Sequence, residues 1–367
     1  MSTMRRRTYS RPSPAMAAFL HGLRTRRTKP FGPGEVKIEL LWVEGRESSE
    51  IGRLIVTTPR GVRHAFAKVF TPRHPGAAGR LEARTQFERE VQWARRTSEA
   101  FGDTAEVRAA RPVAWDERRL GLVTEEAPGT PLDAVVEAGA RWPATHERIT
   151  GLQRTLASLG RWLRIFQESL TEEEPTELDP GAIRDYIDAR LVKLTGLPQA
   201  SFGQAERAAV LEQFDRHAAD LTASDLRRVA VHGDMTPSNV LVADDRITVL
   251  DFAKADHDGR YLDVARLFTQ LEFFTTKPQY RKGVFARLQQ ALLVGYDATL
   301  SANNPLFQIY AAQHVACHFL SHAREPGRFP ASLYREHQCR HHRRWLRDWS
   351  ADRGAVDAAT ASVGGGR

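Results

Sequence analysis

Two kinds of spacing between apolar and polar residues divide this chain into a strand-rich region and a helix-rich region. Over residues 36–125, apolar or alternating runs have the length of strands. These runs cover residues 37–43, 52–58, 63–70 and 121–125. Between them, residues 81–98 lack Gly and Pro and place Phe87, Val91 and Ala94 on one helical face. The pattern predicts a small antiparallel β region that carries one helix.

Beyond residue 126 the apolar residues recur three or four positions apart, which is typical of helices. One such stripe runs from Ile149 to Phe166, where core packing is the favoured interpretation. Further helices are predicted over residues 181–195, 204–221, 261–274, 278–297, 306–323 and 332–349. Pro and Gly at residues 126–132 mark the boundary between the two regions.

The two ends of the chain differ in composition from the rest. Residues 1–35 mix Arg, Ser, Thr, Pro and Gly, and residues 351–367 are small, polar and Gly-rich. Such segments bury too little apolar surface to order themselves. We therefore predict a basic disordered arm over 1–35, a β region over 36–125, a helical region over 126–350 and a disordered tail over 351–367.

A short run within the helical region concentrates residues suited to phosphoryl transfer. Asp234 and Asn239 are five residues apart, and Asp251 follows twelve residues later. Strand-like runs flank them at residues 228–231, 240–243 and 247–250, with Asp244-Asp245 as the turn of a hairpin. Phosphoryl transfer needs a carboxylate that accepts the proton of the attacking hydroxyl, and oxygen ligands that hold Mg²⁺ on the phosphates. This context favours a phosphoryl-transfer site over ordinary polar turns.

The stretch His232-Gly233-Asp234-x4-Asn239, followed by Asp251-Phe252-Ala253, resembles the catalytic and metal loops of the aminoglycoside phosphotransferase family. The members of this family are small-molecule kinases. The resemblance implies an α+β, protein-kinase-like bilobal fold, with a small antiparallel β N-lobe that carries one helix and a larger, mainly helical C-lobe. It also implies ATP as the phosphoryl donor and Mg²⁺ as the metal.

The resemblance assigns roles to particular residues. Asp234 would be the catalytic base, and Asn239 and Asp251 would be the Mg²⁺ ligands. His232 would brace the loop, and Asp263, in the segment Asp-Val-Ala-Arg, would cap the backbone of that loop.

Lys68 is a charged residue in an otherwise apolar strand-like run, so its presence there needs a reason. In the resembling family, this lysine contacts the α- and β-phosphates of the nucleotide and pairs with a helix glutamate. Glu90 is the predicted partner, with Glu88 as the alternative.

The other nucleotide contacts are less clearly marked. No G-x-G-x-x-G sequence lies between the first two strands, where Ser48 and Ser49 either cap phosphates or belong to an ordinary polar turn. The segment after residue 124 resembles the hinge of the family, where backbone groups of Glu125 and Ala127 would bond the adenine.

Two departures from protein kinases favour a small-molecule acceptor. Thr236 stands where protein kinases usually carry a lysine, and Asp263 follows Asp251 by only twelve positions. No activation segment fits in that interval. Its polar residues at 256–260 either face the acceptor or form a solvated loop. A sugar, an aminoglycoside, an amino alcohol and a glycolipid headgroup all remain open as acceptors.

Composition sets limits on partners and location. The 367-residue chain has a net charge of +8, with basic clusters at residues 5–7, 24–29 and 340–347. These clusters form either solvated surface or a weak contact with an anionic membrane or nucleic acid. No apolar run approaches 18 residues, so no transmembrane segment is expected. Cys317 and Cys339 are the only cysteines, which fits a reducing cytoplasm.

A cluster of histidines and cysteines near the C-terminal end offers a separate possibility. It comprises His314, Cys317, His318, His322, His337, Cys339, His341 and His342. The spacings match no zinc signature, so a His-rich helical surface with two buried thiols is the favoured interpretation, and a structural metal is the alternative.

Three functional hypotheses follow. The favoured one is an ATP/Mg²⁺-dependent O-phosphotransferase that acts on a hydroxyl of a small molecule. The second is a non-catalytic nucleotide-binding regulatory module of the same fold. The third is a protein-kinase-like enzyme that is recruited through the basic arms, which a steep salt dependence of its affinity would reveal.

Overall fold

A computed structural model describes residues 7–9, 11–25, 31–32, 34–102, 107–171, 176–244, 246–324 and 331–351. The chain forms two compact units, Met1–Gly129 with Thr248–Asp256, and Thr130–Ile247 with His257–Arg367. Strands predominate in the first unit and helices in the second, so the expected α+β class is confirmed. Of the predicted tail at 351–367, all but Ala351 lies outside the described residues.

The first unit is built on an antiparallel sheet. Its elements are β1 (Arg7–Tyr9), α1 (Pro14–Thr25), β2 (Lys37–Gly45), β3 (Ser49–Thr58), β4 (Gly61–Phe70), α2 (Ala77–Phe101), β5 (Val107–Ala109), β6 (Pro112–Asp116) and β7 (Gly121–Glu125). Six of the strands pair in the order β1-β2-β3-β4-β7-β6. The four strands and the helix that the apolar pattern predicted in this region are confirmed.

Side-chain alternation along β4 decides which residues face which helix. Ala65, Ala67 and Val69 pack into one core together with α1. Phe70 packs on the opposite face against Phe87 of α2. Because successive strand residues point to opposite faces, Lys68 shares the face of Phe70 and points toward α2.

The expectation of a disordered arm is wrong for its described central part. Residues 14–25 form α1, whose Met16, Phe19, Leu20 and Leu23 are buried in the core of the sheet. A Cβ atom at Gly121 would lie 2.4 Å from the ring of Phe19, so only glycine lets α1 approach β7 this closely. The flanking basic residues 5–6 and 26–29 lie outside the described residues.

The second unit is mainly helical. Its elements are β8 (Thr130–Pro131), α3 (Leu132–Ala140), α4 (His146–Leu170), α5 (Pro180–Thr195), α6 (Gln204–Ala219), β9 (Arg228–Val231), β10 (Val240–Ala243), α7 (Leu262–Phe274), α8 (Lys282–Tyr296), α9 (Pro305–Arg324) and α10 (Ala331–Ser350). Where the chain crosses between the units lie β11 (Arg246–Val249) and β12 (Asp256–Gly259). Each predicted helix is present within a few residues of its expected ends. The pattern did not predict α3 or β12.

Close helix packing positions the loops of this unit. A Cβ atom at Gly160 of α4 would lie 2.4 Å from the carbonyl oxygen of Leu292, and one at Gly295 of α8 would lie 2.1 Å from that of Ala157. The two glycines therefore allow α4 and α8 to come into backbone contact. None of the helices in the described ranges combines the length and apolarity of a membrane span.

Candidate active site

A group of three charged side chains, of which Glu90 is buried and Lys68 and Asp251 are partly buried, lies in the first unit. The Nζ atom of Lys68 is 2.8 Å from Oε2 of Glu90 and 2.8 Å from Oδ1 of Asp251. The predicted pairing with Glu90 is confirmed. Glu88 is exposed and lies 3.6 Å from Arg84 instead. The helical period of α2 explains why Glu90 and not Glu88 pairs with Lys68. Glu90 follows Phe87 by three residues, so both side chains lie on the helix face that packs against the sheet.

Burial and charge act on this group in opposite directions. Burial by itself lowers the pKa of Lys68, but the carboxylates of Asp251 and Glu90 outweigh burial, so the pKa of Lys68 is raised and the ammonium stays charged. Burial raises the pKa of Glu90, and the charge of Asp251 adds to this rise while Lys68 opposes it. One ammonium thus serves two carboxylates.

The backbone presents Asp251 in an unusual conformation. Its φ angle is 67°, in the left-handed region that non-glycine residues seldom adopt but Asp tolerates better than most. The next residues fix the turn, since Phe252 is fully buried and Ala253 packs against the core that contains Phe87. Strain of this kind is most often retained at functional positions.

A second group lies in the second unit, on the loop after β9. The carboxylate of Asp263, at the start of α7, accepts hydrogen bonds from the backbone N–H groups of His232 (2.6 Å) and Gly233 (3.0 Å). The N–H of Asp234 donates to Nδ1 of the fully buried His232 at 3.3 Å. Gly233 adopts a φ of 71°. The structure thus confirms that Asp263 caps the loop and that His232 braces it.

Two further contacts orient Asp234. The side-chain amide of Asn239 donates to the backbone oxygen of Asp234 at 3.0 Å. The guanidinium of Arg266 forms a hydrogen-bonded ion pair with Oδ1 of Asp234 and donates to the carbonyl of Gly233 at 3.2 Å. Burial raises the pKa of Asp263, although its bonds to the loop and the nearby Arg266 oppose the rise. Arg266 thus places a cation from α7 on the Asp234 carboxylate.

Sequence reasoning did not assign a role to Arg266. Its only signal was its position three residues after Asp263, which places both side chains on one face of α7. The ion pair with Asp234 is a tertiary contact, which local spacing does not reveal.

The other residues that were predicted to contact the nucleotide lie at two places in the first unit. Ser49 is the first residue of β3, pairs with Phe70, and its side chain is only 5% exposed. Ser48 is half-buried in the preceding turn, and its carbonyl accepts from the N–H of Thr71. The N–H of Glu125 donates to Arg111, while Ala127 follows β7 in a half-buried position. The two serines therefore lie at the β2–β3 turn, and Glu125 and Ala127 at the end of β7.

The polar residues at 256–260 do not form a solvated loop. They include β12, which pairs with β9. Asp256 lies 2.8 Å from Arg89, and the Tyr310 hydroxyl donates to Asp258 at 2.7 Å. The carbonyl of Arg260 accepts from Gln167 at 2.8 Å. These side chains and backbone groups thus have defined partners.

The fold and these two groups together define a protein of the protein-kinase-like class. The family model described as the phosphotransferase enzyme family, APH, matches residues 47–300, and the chain belongs to this family. A comparison with curated protein sequences gave no match.

Solved structures of the same fold include several small-molecule kinases. A choline kinase from Cryptosporidium parvum Iowa II is 12% identical with a TM-score of 0.53, over 95% of this chain and 99% of that one. The aminoglycoside phosphotransferase APH(4)-Ia is 14% identical with a TM-score of 0.55, over 90% and 98%. The amicoumacin kinase hAmiN, solved with AMP-PNP and Ca²⁺, is 16% identical with a TM-score of 0.54, over 92% and 94%. At these identities the likeness establishes the fold.

Proposed function

We propose that this protein is an ATP/Mg²⁺-dependent O-phosphotransferase that moves the γ-phosphate of ATP to a hydroxyl of a small molecule. The observation that carries this proposal is the loop around Asp234. Five contacts from Asp263, His232, Asn239 and Arg266 fix its conformation. A carboxylate that is held this firmly suits a reaction that depends on positioning.

Asp234 is proposed as the general base. The acceptor oxygen would attack the γ-phosphorus while its proton passes to the Asp234 carboxylate. The new O–P bond would form as the bond to the β–γ bridging oxygen breaks, and ADP would leave. Arg266 supports this assignment because its guanidinium fixes the orientation of the carboxylate.

Lys68 and Glu90 are proposed to hold the nucleotide phosphates. The ammonium is charged and already serves two carboxylates, which supports a role in binding further anionic oxygens. Glu90 would keep Lys68 in place when a phosphate replaces Asp251 as the second partner. Ser48 and Ser49 are proposed as weaker backbone or hydroxyl contacts at the β2–β3 turn.

Asn239 and Asp251 are proposed as the Mg²⁺ ligands. An amide oxygen and a carboxylate are the hard oxygen donors that Mg²⁺ prefers, so the donor set fits this metal. When bound with the nucleotide, Mg²⁺ would neutralise the charge on the phosphate oxygens. The left-handed backbone at Asp251 supports a functional position, since such strain is retained where geometry matters.

The adenine is proposed to bond backbone groups just after β7. The N–H groups of Glu125 and Glu126 already donate to carbonyls of the sheet and the loop beside it. Carbonyl groups of this segment and the N–H of Ala127 are therefore the proposed contacts.

The acceptor is proposed to be a small hydroxylated molecule, namely a sugar, an aminoglycoside, an amino alcohol or a glycolipid headgroup. The short interval between Asp251 and Asp263 supports this, because it holds β12 rather than a segment that could dock a protein substrate. The similar folds that are named for choline and for aminoglycosides agree with the proposal. A cytoplasmic location stays a prediction, in line with the two free thiols.

The test is transfer of labelled γ-phosphate from ATP/Mg²⁺ onto a panel of aminoglycosides, sugars, choline-like alcohols and glycolipids. We expect one class to be labelled by the parent protein and not by the Asp234→Asn variant. ATP binding is measured on both proteins in parallel. Labelling that is equal in the two proteins would refute the assigned base, and nucleotide binding without transfer to any class would favour a regulatory module.

A further inference from the structure

Three histidines that the proposed reaction does not use come together between α9 and α10. His318 and His322 lie four residues apart on α9, so they share one helix face. His342 reaches them from α10. One ring nitrogen from each of the three histidines lies within 4.8 Å of the others. The three histidines therefore form one compact group with their ring nitrogens close together, whereas the sequence suggested a His-rich helical surface.

The thiols also differ from the sequence expectation. Cys339 is buried as predicted, but Cys317 is partly exposed and its sulfur lies 3.7 Å from the hydroxyl of Tyr186. Cys317 therefore has a partner outside the three-histidine cluster.

The protonation of His342 is set by the backbone of its own helix. Its Nδ1 lies 2.5 Å from the carbonyl oxygen of Gln338, so Nδ1 carries the proton and donates. Nε2 is left with its lone pair, and within the described chain it is buried without a hydrogen-bond partner. An unsatisfied buried polar atom is unfavourable and calls for an explanation. Histidines that ligate a metal typically donate their other N–H to a backbone carbonyl, as His342 does.

Neighbouring side chains fix the orientation of two of the rings. The ring of Phe273 lies 4.6 Å from those of both His318 and His342, centroid to centroid. The side chain of Gln270 lies 3.3 Å from Nε2 of His318. The imidazoles of His318 and His342 are therefore held in defined orientations.

A pocket lies beside the cluster. Its volume is about 600 Å³, and its lining includes one of the three histidines, His322, together with Cys339 and Ser201. Three arginines also line it, of which Arg340 pairs with Glu336 and Arg343 pairs with Glu206. The pocket therefore reaches His322 and has room for a water ligand.

We propose that His318, His322 and His342 bind a Zn²⁺ ion, with a water molecule from the pocket as the fourth ligand. Three protein ligands and one water form an established tetrahedral arrangement for Zn²⁺. With Zn–N bonds of about 2.0–2.1 Å, ligand nitrogens lie about 3.4 Å apart. The histidines would move inward by roughly 1 Å, which small rotations of the side chains provide. The ion would tie α9 to α10 and satisfy Nε2 of His342.

The test is Zn²⁺ binding to the full chain, measured by competition with a chromophoric chelator after the protein has been stripped of metal. We expect one Zn²⁺ per chain. Changes to residues that only contact a metal ligand typically lower metal affinity about tenfold to 100-fold, and His322→Gln and His342→Gln, which remove ligands themselves, should lower it by at least as much. His322 is half-buried, so its variant tests the site with little change in packing. Co²⁺ in place of Zn²⁺ should give the visible spectrum of a four-coordinate ion.

His337→Gln is the matched control, because His337 is exposed on α10 and lies outside the cluster. Its affinity for Zn²⁺ should equal that of the parent. A further readout is thermal stability, which saturating Zn²⁺ should raise in the parent and in His337→Gln but not in His322→Gln. No binding by the parent, or equal binding by His322→Gln and the parent, would overturn the proposal and leave the proposed phosphotransfer untouched.

Discussion

The two groups of candidate catalytic residues are held in place by different forces. In the first unit, Lys68 lies between Glu90 and Asp251, and opposite charges hold the three side chains together. In the second unit, backbone N–H groups and the carboxylate of Asp263 fix the loop that carries Asp234. A group held by exchangeable ion pairs can rearrange when an anion binds, whereas a capped loop keeps its geometry. The first arrangement suits ligand binding and the second suits chemistry.

The largest effect should come from Asp234→Asn. The variant keeps the size of the side chain but loses the basic carboxylate, so we expect kcat to fall by about 10²–10⁴-fold. The Kd for ATP/Mg²⁺ should stay within about twofold of the parent value, because Lys68 and its partners are unchanged. Label-transfer kinetics measure the fall in kcat, and equilibrium nucleotide binding measures the Kd. A fall in nucleotide affinity as large as the fall in kcat would erase the contrast between the groups.

The second largest effect should come from Asp251→Ala and should appear in binding. Removing this carboxylate takes away a charged metal ligand and a partner of Lys68. Charge-assisted hydrogen bonds contribute about 1.5–3 kcal/mol, so we expect ATP/Mg²⁺ affinity to fall about tenfold to 150-fold. Calorimetric titration with and without Mg²⁺ measures the loss. Asp244→Ala is the control, since the side chain of Asp244 is 89% exposed in the turn after β10; a similar loss there would show that the effect is not specific to Asp251.

Arg266→Gln should have a smaller effect, confined to turnover. The variant removes the guanidinium from Asp234 and from the carbonyl of Gly233. We expect kcat to fall at least about tenfold, in keeping with the loss of two charge-assisted hydrogen bonds, while the nucleotide Kd does not change. Arg287→Gln, at an exposed position of α8, is the control. If the KM for ATP rose and kcat stayed constant, Arg266 would act in binding and not in positioning the base.

The smallest effect should be the pH dependence of stability at Glu90. Burial raises the pKa of Glu90, so the folded state holds this proton more tightly than the unfolded chain. Its contribution to stability is therefore fullest below the ordinary glutamate pKa of about 4.3–4.5 and declines as the pH rises through the folded value. Glu90→Gln has no such titration. Relative to the parent, this variant should gain stability between about pH 5 and about pH 8, as urea unfolding measures.

Glu88→Gln serves as the matched control for Glu90, because Glu88 is exposed two residues away on the same helix. Its stability relative to the parent should not change over that pH range. A pH response at Glu88 that equals the response at Glu90 would show that burial is not its cause.

Local patterns predicted four strands and the helices of the expected spans, and the resemblance of the loop motifs to the family supplied the parts of the site. The pairing of Lys68 with Glu90 and the cap of Asp263 on the loop were expected from that resemblance, and the structure shows both contacts. Strand alternation in β4 and helical spacing in α2 account for the first contact once the two elements pack together.

Contacts that depend on packing between distant elements were not accessible in this way. The ion pair of Arg266 with Asp234 requires α7 to lie against the loop. The three-histidine cluster requires α9 and α10 to pack side by side. The helix α1 was concealed by surrounding Arg, Ser and Pro residues, although its apolar residues Phe19 and Leu20 are buried beneath the sheet.

The separate roles of Asp234 and Lys68 are tested most directly by measuring turnover and ATP affinity on one preparation each of the parent, Asp234→Asn and Lys68→Ala. Label transfer to the acceptor that the panel identifies gives kcat, and equilibrium titration with ATP/Mg²⁺ gives Kd. We expect Asp234→Asn to lose turnover at unchanged Kd and Lys68→Ala to lose nucleotide affinity. Parent-like turnover by Asp234→Asn would rule out Asp234 as the base.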